Sequence, residues 1–269
     1  FYPMLAAIQL KQIYQLNVPV APSFTQAEQL PFKQAFAMIT ELRELGRNGL
    51  AKQRWRILLD NVDFTTQLKL SEYAKNQQWF ELVVDASIVA KAWDYLSLRL
   101  PNAYSEYFNT ALQNLNISKT FAMAIARQES AWNPMAQSSA NARGLMQLLP
   151  STAKLTAEHN QLPYQGEQDL FKPLNNILLG TAHLNELNGK YPNNRILIAA
   201  AYNAGANRVE KWLSRANGKL ALDEFVASIP FYETRGYVQN VVAYDFYYQI
   251  LQNKENPQIF SQEELNRLY

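Results

Sequence analysis

The chain has 269 residues, 48% of them hydrophobic and 18% charged, with a formal net charge of +2. That is length enough for one large domain or two smaller ones, without the strong basic excess of a dedicated nucleic-acid binder. The absence of cysteine excludes a disulfide scaffold, a thiolate zinc site and a cysteine nucleophile; two distant histidines, His159 and His183, supply metal or triad chemistry poorly; and no apolar run approaches the roughly 18 residues of a membrane span.

Helical periodicity dominates, and no segment alternates as a strand would, so the fold class expected is all-α. The chain opens inside a helix over 1–16 with no leader ahead of it, and reads as a mature or trimmed piece whose export is undetermined. The proline-bearing loop NVPVAPS follows. Short helices are expected near 26–46, 48–60, 63–75, 78–85 and 87–99. Within them Glu41, Leu42 and Leu45, and later Trp55, Leu58 and Leu59, have the spacing of one buried face. Short helices in series point to stacked antiparallel pairs.

The texture changes around Leu100–Pro101, and the domain boundary is expected at about 110–118, dividing the chain into 1–115 and 116–269. Ser118 is a good N-cap for a helix from Lys119 to about Ser130. A polar loop runs from Asn133 to Asn141, and a helix begins near Ser151. Residues 161–173 read as loop. Helices recur near 175–189, 194–203, 206–215 and 222–228, with a long final one near 233–253.

Phe121, Ile125 and Glu129 are spaced by four and share one helix face, which Ala122 and Ala126 extend. The Glu129 carboxyl therefore ends an apolar stripe near a helix C-terminus. Burial and the negative end of the helix dipole both disfavour its charged form, and so raise its pKa toward what a general acid needs. From this helix alone, a solvated glutamate at a frayed end is the better reading. Downstream, GLMQLLP (Gly144–Pro150) offers a glycine for close backbone approach, then Met146 and Gln147. AAAYNAG (Ala199–Gly205) offers small alanines for close packing, then Tyr202 and Asn203, and a glycine stop. PFYETRGYV (Pro230–Val238) opens the last helix with Glu233, Arg235 and Tyr237. Each of these side chains also has an ordinary structural use, and His183 on its leucine-rich helix reads as structural.

The runs AIARQESAWNP…ARGLMQLLPSTA, AAAYNAGANRVEKWL and IPFYETRGYVQNVVAYDFYY together resemble the soluble lytic transglycosylases, which cleave bacterial peptidoglycan with a goose-type-lysozyme-like domain. The resemblance covers roughly residues 118–250. NQQWF (Asn76–Phe80) and ASIVAKAWD (Ala86–Asp94) also resemble that family's linker domain. It implies a helical linker and superhelix remnant followed by a lysozyme-like catalytic domain. Glu129 stands at the family's catalytic glutamate, and Ser138, Met146, Gln147, Tyr202, Asn203, Glu233 and Tyr237 stand at its sugar-binding groove. One departure is Ser138-Ser139-Ala140-Asn141, where the family often has a Ser-Pro-x-Gly turn; asparagine is the next-best residue at positive φ.

The resemblance implies no cofactor and no metal. Its implied partner is the peptidoglycan glycan strand, hence a periplasmic location, with no nucleic acid and no membrane span. It also implies non-hydrolytic cleavage between MurNAc and GlcNAc to 1,6-anhydroMurNAc ends. Two alternatives stand beside it. A hydrolytic muramidase would need a second carboxylate, for which Glu233 and Asp245 are the candidates. The other is a non-catalytic peptidoglycan-binding or scaffold module.

Overall fold

The computed structural model describes residues 1–269 and contains helices, turns and two isolated β-bridges but no strand. The chain forms two compact units: Leu16–Ala103, and Phe1–Gln15 together with Tyr104–Tyr269. The division expected at 115/116 falls later than this, after a helix that belongs to the second unit.

The Leu16–Ala103 unit contains α2 (Gln26–Gln29), a 3-10 turn (Leu30–Phe32), α3 (Lys33–Glu44), α4 (Asn48–Asp60), α5 (Phe64–Asn76), α6 (Phe80–Val89) and α7 (Leu96–Arg99). Pro31 breaks what the sequence suggests as a single helix over 26–46. α3 packs on α4 and α5 on α6. Trp55, Leu59, Leu70 and Leu82 are fully buried between them, and the Trp55 indole donates to the Leu82 carbonyl at 3.0 Å. Leu45 corrects the face expected on α3. It lies past the last turn, before Gly46 at φ +69°, and is exposed; Phe36 and Ile39 fill the core instead. The expected break between 78–85 and 87–99 also moves. Asp85, Ala86 and Ser87 are buried inside one helix, and the chain turns at Lys91, φ +52°.

In the other unit, α1 (Tyr2–Gln9) is shorter than the expected 1–16 and buries Met4 and Leu5. α8 (Ser105–Ala111) and α9 (Lys119–Ser130) are tied by Lys119, which donates to Ser105 Oγ at 2.6 Å and Asn109 Oδ1 at 2.7 Å. That tie, with the packing of α8 on α11 (Pro173–Lys190), is why the unit begins before α8. α10 (Pro150–Asn160) starts on a proline, as a first turn tolerates. A 3-10 turn, Glu167–Phe171, sits in the expected loop. Then come α12 (Arg195–Ala204), α13 (Ala206–Ala216), α14 (Leu222–Ser228), α15 (Tyr232–Leu251) and α16 (Gln262–Asn266).

α9 is the hub of this unit. Every residue from Thr120 to Arg127 is buried, α15 packs along it, and α12 packs on α15. A buried ion cluster fixes α12 to α15 and to the tail. Arg195 bonds Asp245 Oδ2 at 2.6 Å and Glu264 Oε2 at 2.8 Å, with both carboxylates almost wholly buried. Burial opposes the guanidinium charge, but the two carboxylates outweigh it and push its pKa up. Such a cluster is costly to bury and far costlier to break on one side.

Candidate active site

Every residue singled out as a candidate lies in the second unit. Glu129 ends α9, which Ser118 caps by accepting from the Phe121 amide at 3.3 Å. Ala131 (φ +49°) and Trp132 (φ +68°) follow, two successive non-glycine residues in the left-handed region. Each costs on the order of 1 kcal/mol. Trp132 meets that cost by complete burial, with its indole donating to Tyr248 Oη at 3.2 Å. The chain is thus turned away sharply just beyond the carboxyl.

The Tyr237 hydroxyl donates to Glu129 Oε1 at 2.7 Å. Burial pushes the Glu129 pKa up from 4.5 to about 7; the Tyr237 hydrogen bond pulls it down, and the negative charge of Glu233 raises it further. A carboxyl poised there gives up and recovers a proton near neutrality with little free-energy change. Glu233 is exposed on the first turn of α15, one turn before Tyr237. Burial, then the Glu129 charge, holds the Tyr237 and Tyr202 phenols far above their ordinary range, so both remain donors.

α12 presents Tyr202 and Asn203 just before its glycine stop at Gly205, φ +89°. The Tyr202 hydroxyl donates to the Met146 carbonyl at 2.7 Å, and Asn203 Oδ1 accepts from buried Thr234 at 2.7 Å. His183 lies with its ring centroid 5.4 Å from that of Tyr202, and its Nδ1 is 3.6 Å from Glu186. Burial pushes its pKa down, against the pull of Glu186.

The polar loop closes on itself. Ser138 Oγ accepts from the Ala142 amide at 3.0 Å, and Asn141 adopts φ +70°, the conformation its side chain tolerates. Gln147 Nε2 donates to the Ala136 and Gly144 carbonyls at 3.0 and 2.9 Å, so its amide nitrogen holds the loop. Gly144 has φ +78°, and a Cβ there would stand 2.0 Å from the Leu170 carbonyl oxygen. No other residue fits.

Met146 is a correction. Its side chain is fully buried against Gly180 and presents no surface to a sugar; what it offers the site is the carbonyl that receives Tyr202. The sequence reading also missed Asn176, fully buried with three hydrogen bonds to the loop and its surroundings, and Thr234. A polar residue in the apolar first turns of α11 and a glycine inside that helix were the available signals. Asp245, a candidate second carboxylate, is taken up by Arg195 and Gln249. No cluster of three or more His, Asp or Glu side chains is placed to hold a metal, and no helix is long and apolar enough to cross a membrane.

Three family models match the chain: the transglycosylase SLT domain over 106–224, the soluble lytic murein transglycosylase L domain over 29–96, and the soluble lytic transglycosylase helical domain over 228–257. A soluble lytic murein transglycosylase of Escherichia coli is 41% identical over 270 residues, covering all of this chain and 42% of that protein. The chain belongs to the soluble lytic murein transglycosylase family.

A Haemophilus influenzae protein named for the same family is 97% identical over 269 residues, all of this chain and 45% of that protein. The chain thus spans less than half the length of the curated relatives it matches. The crystal structure of the 70 kDa soluble lytic transglycosylase of Escherichia coli superposes with a TM-score of 0.94 at 41% identity, over all of this chain and 43% of that one. An inactive glutamate-to-glutamine mutant of the lytic transglycosylase Slt of Pseudomonas aeruginosa superposes at 0.86 with 33% identity, over 98% and 43%. The L-domain match falls within the Leu16–Ala103 unit. The helical-domain match falls on α15, beside Glu129, and not on the N-terminal helices where a superhelix remnant was expected.

Proposed function

We propose that this chain cleaves the β-1,4 bond between MurNAc and GlcNAc in peptidoglycan without consuming water, leaving 1,6-anhydroMurNAc ends. The observation that carries the reading is one buried carboxyl, Glu129, with its pKa at about 7 and a tyrosine hydroxyl bonded to it. Glu129 protonates the glycosidic oxygen as the C1–O bond breaks, and the GlcNAc end departs as an alcohol. The N-acetyl oxygen of MurNAc stabilises the positive charge developing at C1. The Glu129 carboxylate then takes the proton of the MurNAc C6 hydroxyl while O6 bonds to C1. Atoms and charge balance, and Glu129 ends protonated, ready for the next bond.

Tyr237 steadies the ionised carboxylate between the two proton transfers. Tyr202, Gln147, Asn203, Ser138 and Glu233 are proposed to line the sugar groove. The inactive glutamine mutant of the Pseudomonas aeruginosa relative supports the need for one carboxyl. The substrate implies a periplasmic location. The hydrolytic alternative has lost Asp245 to the Arg195 cluster and retains only Glu233.

The test is mass analysis of products after digesting purified peptidoglycan with the chain and with Glu129→Gln. Anhydro ends from the parent and none from the variant are expected. Reducing ends would transfer the reaction to the muramidase class. Binding without cleavage by the parent would leave a binding module.

A further inference from the structure

The turn that carries Met146 and Gln147 belongs to no helix or strand. Two isolated bridges, Gln137–Arg143 and Arg143–Leu148, flank it, and Gln147 itself sits at φ +49°. Its position is set from behind, by α11. Asn176 accepts from the Met146 amide at 2.8 Å through Oδ1, and donates through Nδ2 to the carbonyls of Arg143 at 2.9 Å and Leu170 at 2.8 Å. All three of these amide contacts go to backbone groups in or beside the turn. One helical turn on, Gly180 leaves room for Met146: a Cβ there would stand 2.3 Å from its Sδ and 2.9 Å from its Cβ. Rotating the Met146 side chain cannot clear a contact to its own Cβ, so the turn itself would have to move.

We infer that Asn176 and Gly180, adjacent on one face of α11, are positioning residues that template the Gly144–Gln147 turn and so fix where Met146 O receives the Tyr202 hydroxyl. Neither touches substrate; both act through the turn. The inference rests on the proposed cleavage reaction. Tyr202 is the link to chemistry: its hydroxyl is anchored on Met146 O, and its phenol lies within the electrostatic reach of Glu129. A shift of the turn of about 1 Å would release or redirect that hydroxyl, and misplacements of that size cost on the order of 100-fold in rate.

The test uses the full chain, Asn176→Ala and Gly180→Ala, with Glu129→Gln as the inactive reference. Turnover of glycan fragments is measured per folded molecule, well below each variant's Tm, alongside hydrogen exchange at the Met146 amide. Gly180→Ala is the decisive variant, because alanine is the better helix former and α11 itself is not weakened. Both variants are expected to fold and to lose 10- to 100-fold in kcat per folded molecule. Asn176→Ala is also expected to speed exchange at Met146, whose amide has lost its acceptor. A purely structural role would lower Tm and leave turnover per folded molecule unchanged, and that result would overturn the inference. Failure of both variants to fold would also overturn it, since α11 would then be serving the core and not the turn. An inactive parent with fast Met146 exchange in Asn176→Ala would sink the proposed reaction while leaving the contact intact.

Discussion

Replacing Glu129 by glutamine should stabilise the protein, and only at high pH. The carboxyl is buried at the end of α9, and its folded pKa of about 7 lies above the unfolded value of 4.5. The sign follows from linkage. A group whose folded pKa is raised contributes stability that is fully present below the unfolded pKa and is lost as pH rises through the folded one. At about 1.4 kcal/mol per pKa unit, ionising Glu129 costs the native state up to about 3 kcal/mol above pH 7. Glutamine matches the protonated acid in shape and still accepts the Tyr237 hydroxyl, which now lies 2.7 Å from Oε1. Parent and variant should therefore melt together at pH 4.5 and separate progressively up to pH 8. For a chain of this size the separation is about 6–12 °C at pH 8. Thermal melts across that range measure it directly. An equal offset at both pH values, or a variant less stable at pH 8, would refute a strongly raised Glu129 pKa, and with it the case for one group serving as acid and then base.

Tyr237→Phe removes a donor that favours the ionised carboxylate, so the Glu129 pKa should rise further. The alkaline limb of kcat/KM, where Glu129 loses its proton, should move up by about one pH unit, on the scale of a hydrogen bond to a charged group; a limb that stays or moves down would contradict the geometry. Arg195→Leu leaves Asp245 and Glu264 buried without their cationic partner, and should cost about 3–5 kcal/mol in urea unfolding. Mutating both carboxylates to their amides in the same background should recover part of that loss, and no recovery would show that the cluster is not what Arg195 stabilises.

The candidate site was legible in the sequence where its features are set by neighbours in the chain. The four-residue spacing of Phe121, Ile125 and Glu129 places the carboxyl at the end of a buried stripe, and α9 is buried on that face and, beyond what the spacing requires, on every residue from Thr120 to Arg127. Ser118 as cap, Gly205 as stop and Asn141 at positive φ were likewise readable from residue type. Less legible were the positions set by distant partners. Met146 looked like a ligand contact because GLMQ alone does not disclose that Gly180, far along the chain, has a gap for its side chain. Leu45 looked buried because helical spacing cannot show where the last turn of α3 ends.

What the sequence by itself determined is the all-helical character, most of the run of elements, and the place of Glu129 at the end of a buried helical stripe, since period, capping and residue type are properties of neighbours in the chain. The tertiary structure alone decided how that carboxyl is tuned and how the turn opposite is held. Tyr237 reaches Glu129 across 108 positions, Asn176 reaches the Met146 amide across 30, and Asp245 is withdrawn into an ion pair with a residue 50 positions away. A pKa depends on which dipoles and charges surround the group in space, and that is fixed only when α9, α11, α12 and α15 pack together.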